Sequence, residues 1–387
     1  MSTLLSHPVW GMAFRPFYLL AALAGALSIL AWSAGYNGTA DLPAFFWHAH
    51  EMIWGYAGAI VVGFLLTAVA SWTQQVPTRG KPLAVLTLLW LLARLSIYFP
   101  SGALLSGIFG TAFFAMAAAC MALPVIRSRN QRNYIAVVAL FLFGLTHALF
   151  HLYLANGNDV GLRSGLWAGL VMVAGFIGLV GMRVVPFFIA KRLGTPQVTT
   201  PLWLMSAVLV LPMAMAILLL LNIGPLWVAL FGIIAGTINL VQVFRWWCRD
   251  VAKEPMLWIL LAGYASTALG LIVMGIAAWQ PLYLSLGIHL IGVGGIGLMT
   301  LGMMTRTALG HTGQALYPAP KLVPLAFYLM IAAAVVRTIS AMLMSVSASA
   351  YLHSYRLSGL LFSLALLLFL WRYTPWLLRR RFDGKPG

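Results

Sequence analysis

Two histidines four residues apart, His147 and His151 in FGLTHALFHLYL, leave one face of any helix that contains them. Imidazoles so placed can bind one metal ion or two adjacent ones. The plainer alternative is hydrogen bonding to neighbouring helices, but ionisable groups inside a strongly apolar segment are costly and usually functional, which favours ligation. His48 and His50, in WHAHEM, are two apart, a spacing that turns them about 200° from each other on a regular helix. They would then serve two cofactors on either side of the helix, or converge on one ion if the helix start is irregular; an interfacial Trp-His cluster is the reading without chemistry. Glu51 follows directly and is the one acid that falls inside an apolar segment. It is the catalytic candidate, able to hydrogen-bond a ligand histidine or to relay protons, with a mere dipole-complementing role as its alternative.

A fifth imidazole, His289, lies above a glycine-rich stretch, HLIGVGGIGLMTLGMMTRT. Gly292, Gly294 and Gly297 formally match a dinucleotide fingerprint, which is rejected because the required strand and βαβ unit are missing. Such glycines in a membrane helix let a backbone, or a flat macrocycle, come close. His289 is therefore a metal or haem ligand candidate, against a packed polar contact, and His353 is held in reserve as a further metal ligand. Met299, Met303 and Met304 are soft donors, but methionine is ordinary core filler. Arg94, Arg337 and Arg356 fall within or at the ends of apolar segments. A buried arginine needs a partner, and with few acids present that partner is an anion such as a haem propionate; snorkelling to the headgroups is the equal alternative. Arg337 and Arg356 are thus cofactor-binding candidates.

What must position these groups is a membrane bundle. The 387 residues are 62% hydrophobic and 7% charged, far from the usual quarter-charged soluble composition, and apolar runs of about 20 residues recur along the chain. Cutting at glycine, proline and charge clusters predicts about twelve transmembrane helices, at 16–35, 48–70, 82–99, 102–126, 133–155, 164–189, 200–222, 224–247, 256–279, 281–305, 320–344 and 351–373. The expected fold is an all-α polytopic bundle forming a single integral membrane domain over 1–387, its first apolar run retained as a helix.

The net charge of +17 would suggest nucleic acid in a soluble protein, but here it orients loops. All but four of the 23 Lys and Arg residues fall in the N-terminus, the even-numbered connections and the C-terminus, including Arg379, Arg380, Arg381 and Lys385. The exceptions are Arg94, Arg163, Arg337 and Arg356, of which only Arg163 is placed in a loop. This asymmetry predicts both termini in the cytoplasm, and it puts His48, His50, His147, His151, His289 and His353 in the outer half, with His7 and His311 on the cytoplasmic side. His311 is given a folding role in a Gly-rich turn. Cys120 and Cys248 lie far apart in apolar runs, which argues against a disulfide, and without C-x-x-C-H any haem is non-covalent.

AFRPFYLL (13–20), WHAHEMIWGYAGAIVVGFLLTAV (47–69), GMRVVPFF (181–188) and HLIGVGGIGLMTLGMMTRTALGHTG (289–313) together resemble the NnrS family of bacterial membrane proteins, from the first helix to beyond the tenth. Two departures stand out, Ser71 in place of an expected Asn and Gln314 in place of an expected Arg. The resemblance implies an inner-membrane protein holding haem b and copper, tied to nitric oxide, denitrification and tolerance of nitrosative stress. Imidazoles suit both cofactors, but their division between haem and copper stays open.

The combined expectation is a haem-copper site that binds nitric oxide and, in its stronger form, reduces it to nitrous oxide as an oxidoreductase. Glu51 would be the last proton-transfer group and membrane quinol the electron donor. The alternatives are a non-catalytic NO-binding haem protein and a twelve-helix transporter of copper, haem or a small anion. Laying residues 1–190 against 200–387 shows no internal repeat, which tells against the transporter.

Overall fold

In the computed structural model, which describes residues 6–343 and 345–384, the chain is helical almost throughout and no strand is found among the described residues. Twelve long helices follow one another: α1 Phe14–Ser33, α2 Ala44–Thr73, α3 Lys81–Ser96, α4 Gly102–Arg127, α5 Tyr134–Ala155, α6 Asp159–Leu193, α7 Leu202–Leu220, α8 Pro225–Trp246, α9 Pro255–Ala277, α10 Pro281–Thr312, α11 Leu322–Leu343 and α12 Ala348–Leu377. They match the twelve expected segments one for one, and the fold is an all-α polytopic membrane bundle. Eleven are long and apolar enough to cross a membrane. The exception is α3, whose 16 residues rise about 24 Å against a hydrocarbon core of about 30 Å. Arg163 was expected in a loop but lies in the first turns of α6, because that helix starts before the apolar run does. Lys385, counted on the cytoplasmic side, lies outside the described residues. Both cysteines are free.

The residues divide into two compact units that interleave in sequence. One comprises the chain up to Gly169 with Met304–Leu316 and the segment from Phe369; the other comprises Leu170–Met303 with Tyr317–Leu368.

In the first unit α1 packs along α2, and α4 packs against α2, α3 and α5. Polar groups at helix ends find partners. The Thr67 hydroxyl accepts from the Phe14 backbone N–H at the start of α1, 3.1 Å away. Buried Arg15 donates to the carbonyls of Leu377 and Arg379, each at 2.8 Å, satisfying acceptors that the end of α12 leaves open. His311 lies in the last turn of α10 with its ring 5.3 Å from that of Phe14, two residues before Gly313, whose φ of +79° belongs to the left-handed region that glycine tolerates best.

In the second unit α8 and α9 meet backbone to backbone. A Cβ on Gly232 would stand 2.9 Å from the Leu271 carbonyl oxygen, one on Gly236 2.5 Å from that of Ala268, and one on Gly275 2.9 Å from that of Ala229. Glycines spaced four apart are how membrane helices gain dispersion contact where lipid removes the hydrophobic drive. The buried Tyr264 hydroxyl donates to Asn239 Oδ1 at 2.7 Å across this interface.

Two helices depart from regular winding. α2 is π-helical over Glu51–Ala57 and α10 over Leu290–Gly297, in each case directly after a histidine. The π turn spreads its residues more widely and is frequent at functional sites.

Candidate metal centre

The entry of α2 sends its two histidines apart, as a spacing of two on a helix requires. His48 stacks on Trp32, rings 4.6 Å apart and 10° from parallel. His50 is fully buried and turns toward α5, where one helical face presents His147 and His151. The Nε2 atoms of His50 and His151 are 3.0 Å apart, and one ligand nitrogen from each of the three rings lies within 4.8 Å of the others. Three imidazoles on one ion at about 2.0 Å would hold their nitrogens about 3.3 to 3.5 Å apart, so small rotations of the rings close the site. Among the described residues this is the one group of three or more His, Cys, Asp or Glu side chains gathered so tightly.

Two of the three rings are aimed by a second contact, while His151 Nδ1 is buried without a hydrogen-bond partner. Glu51 Oε1 lies 3.0 Å from His50 Nδ1, and since a carboxylate only accepts, that nitrogen carries the proton and Nε2 keeps its lone pair for the centre. The same oxygen accepts from Arg94 on α3 at 2.7 Å. His147 Nδ1 sits 3.2 Å from the Thr111 hydroxyl, while its Nε2 is buried without a hydrogen-bond partner. An orphaned buried polar atom needs an explanation, and a metal ion supplies one. The donor set therefore fits copper, which takes neutral imidazole readily.

The surroundings are mostly aromatic and closely packed. Trp54 donates through Nε1 to the Thr146 hydroxyl at 3.2 Å and packs against Phe150, while Phe114 reaches His147. α4 carries glycine beneath the rings: a Cβ on Gly110 would lie 2.5 Å from His147 Cε1, and one on Gly107 2.8 Å from His151 Cγ. The Trp90 indole donates to the Gly55 carbonyl within the π turn at 3.1 Å.

Arg94 corrects an expectation. Its partner is a protein carboxylate, Glu51, rather than a cofactor anion. The two were readable as a pair only by noting that Glu51 near the start of α2 and Arg94 near the end of α3 fall at one level of two antiparallel helices. Thr111, Gly107 and Gly110 carry no such signal, since nothing in sequence says which face of α4 meets α5.

Residues 8–381 match the family model described as NnrS protein. The chain belongs to the NnrS family. Membership ties it to membranes, nitric oxide, haem and copper. Among curated proteins no significant similarity to this NnrS chain is found.

The remaining candidates lie in the second unit. His289 Nδ1 is 2.7 Å from the Ser285 carbonyl, so it bears the proton, and Nε2 accepts from Arg337 at 3.0 Å. The glycine row is not the smooth face expected for a macrocycle: a Cβ on Gly294 would strike Ser266, one on Gly295 Thr267 and one on Gly297 Met330, whereas Gly292 alone of the four faces open space. Met299 and Met303, like Met304 of the first unit, are buried. His353 and Arg356 are exposed, His353 donating to the Ser349 carbonyl at 2.8 Å, so Arg356 is not the buried cation that would demand an anion.

Proposed function

We propose that His50, His147 and His151 hold a copper ion that binds nitric oxide, with Glu51 and Arg94 fixing the geometry. The observation that supports this reading is the convergence of three buried imidazoles on one point with His147 Nε2 left unpaired. Three neutral rings beside a carboxylate already matched by a guanidinium make a centre of no net charge, so a bound copper ion would keep its own charge and be held by imidazole coordination alone. Bound copper would supply a coordination position for NO and an electron. NO is small and apolar, so Trp54, Phe114 and Phe150 exclude water while admitting it from the bilayer.

In the stronger form of the reading, two NO molecules with two electrons and two protons give N2O and water, quinol being the electron source. Glu51 holds the His50 Nδ1 proton at Oε1 and is the nearest acid for proton delivery. Haem b, held without covalent attachment, takes its ligand from a histidine outside the trio. The protein lies in the bacterial inner membrane with both termini in the cytoplasm, which brings the trio toward the outer face.

Copper and haem content of the purified protein, with optical and electron paramagnetic resonance spectra before and after NO, test the proposal. We expect about one copper per chain in wild type and its loss in H147A and H151A with haem retained. Copper unchanged in those folded variants overturns the centre. NO consumption with a reduced quinol analogue separates turnover from binding alone.

A further inference from the structure

Comparison of the two halves of the sequence hides a repeat that the helices expose at a different offset. In α2, His50 is followed at once by a π segment; in α10, His289 is followed by another. π-helix is the rarest regular winding, well under about 1% of residues, and these are its two occurrences among the described residues. Glycines then stand five, eight and thirteen residues after each histidine: Gly55, Gly58 and Gly63 in α2, Gly294, Gly297 and Gly302 in α10. The preceding helix packs on the π segment in both, α1 on one and α9 on the other. The following helix supplies an arginine that reaches back to the histidine. Arg94 of α3 does so through Glu51, and Arg337 of α11 does so directly. The helix after that contains Leu-Ser-Gly with its serine buried, at Ser106 in α4 and Ser358 in α12.

The copies differ in charge. Glu51 meets Arg94 in the first, whereas the same position after His289 is Leu290. Among the described residues no carboxylate lies within 4.0 Å of Arg337; it contacts Ser340 Oγ at 3.3 Å, His289 Nε2 and the face of Tyr351. A guanidinium 9% exposed in an apolar bundle without a counter-charge is costly and calls for an anion. Beside it, the tautomer of His289 is already set, with Nδ1–H on the Ser285 carbonyl and the Nε2 lone pair accepting from Arg337, and no atom lies within 4 Å of a Cβ added at Gly292.

We propose that α9–α12 repeat α1–α4, and that His289 with Arg337 forms a second ligand site, in this copy for a group bearing a carboxylate or another oxyanion. The planar fork of arginine suits two oxygens of such a group. The first copy takes a cation because its arginine is neutralised; the second takes a negative ligand because its arginine is not. Two sources supply this chemistry: the carboxylates of a haem ligated nearby, and a small free inorganic oxyanion. The inference stands on the repeat and on Arg337, and it does not require copper at the His50 trio.

The test uses detergent-purified full-length protein as wild type, R337Q, R337K and H289A, with haem and copper contents and thermal melting in sodium nitrite against sodium chloride. If a haem carboxylate is the ligand, haem retention falls about ten-fold in R337Q, recovers in part in R337K and is lost in H289A, while copper is unchanged. If a free oxyanion is the ligand, haem stays and nitrite, but not chloride, raises the wild-type melting temperature, an effect absent in R337Q. Wild type with neither haem nor nitrite-dependent stabilisation overturns the proposal, as does R337Q that matches wild type in both. Should R337Q fail to fold, R337K decides: unchanged haem and nitrite response there, together with an unaltered H289A, also overturn it. Loss of copper in H147A with an intact response at Arg337 would mark the two sites as separate.

Discussion

At the scale of single residues, Glu51, one of only six acids, is held between His50 and Arg94 in a place with 4% of its side chain exposed. Removing one partner of a buried ion pair strands the other charge, at a cost of about 3–5 kcal/mol, whereas replacing both by apolar side chains is often close to neutral. R94L should therefore lower the melting temperature sharply, and E51L/R94L should restore most of it. Copper should behave differently: the double variant no longer aims His50 Nδ1–H, and loss of such an orienting contact weakens metal binding about 10–100-fold. A double variant that stays both stable and fully loaded would show that the pair has no part in ligand orientation. Of these residues the histidines were legible, because spacing of four or two fixes relative direction on a helix. Arg94 was recognised as costly but given the wrong partner, since one chain read linearly does not say which helices are neighbours.

At the scale of elements, the centre depends on how closely α4 approaches α5, and that approach runs through glycine. Ala is the better helix former by about 1 kcal/mol, so a Gly110→Ala exchange should leave α4 intact or firmer. Its new Cβ would nevertheless fall 2.5 Å from His147 Cε1, a separation that forces the imidazole to move. The expected result is a folded protein with copper reduced about as far as in H147A, while G310A, where no atom lies within 4 Å of the added carbon, keeps full copper. Equal copper in the two would mean that the ring has slack and that α4 is no cradle. Helix existence was legible almost everywhere from apolar length and turn residues. The π segments were not, because Glu51–Ala57 and Leu290–Gly297 satisfy the same composition whether the backbone winds with four or five residues between donor and acceptor. The glycines of α10 were read for their smallness but not for their occupants, Ser266 and Thr267 of α9.

At the scale of the whole molecule, orientation rests on charge, and one helix tests it hardest. Basic residues retained on one side predict termini in the cytoplasm, and that count alternates correctly only if every helix crosses, including α3 with its 16 residues. A short span is tolerated when the bilayer thins or flanking residues extend it, at a fraction of a kcal/mol per Å, and Ile97 and Tyr98 continue the turn beyond Ser96 with Tyr98 bonded to the Leu95 carbonyl. Single cysteines placed at exposed positions in a variant lacking Cys120 and Cys248 read this directly with a membrane-impermeant maleimide. Q75C and T195C should label only after the membrane is opened, and P100C and N156C should label in intact spheroplasts. If P100C and Q75C share a side, α3 does not cross and the sorting of the second and third connections was coincidence. If all four are reversed, the trio of His50, His147 and His151 faces the cytoplasm, and protons for any reduction at Glu51 would come from that side.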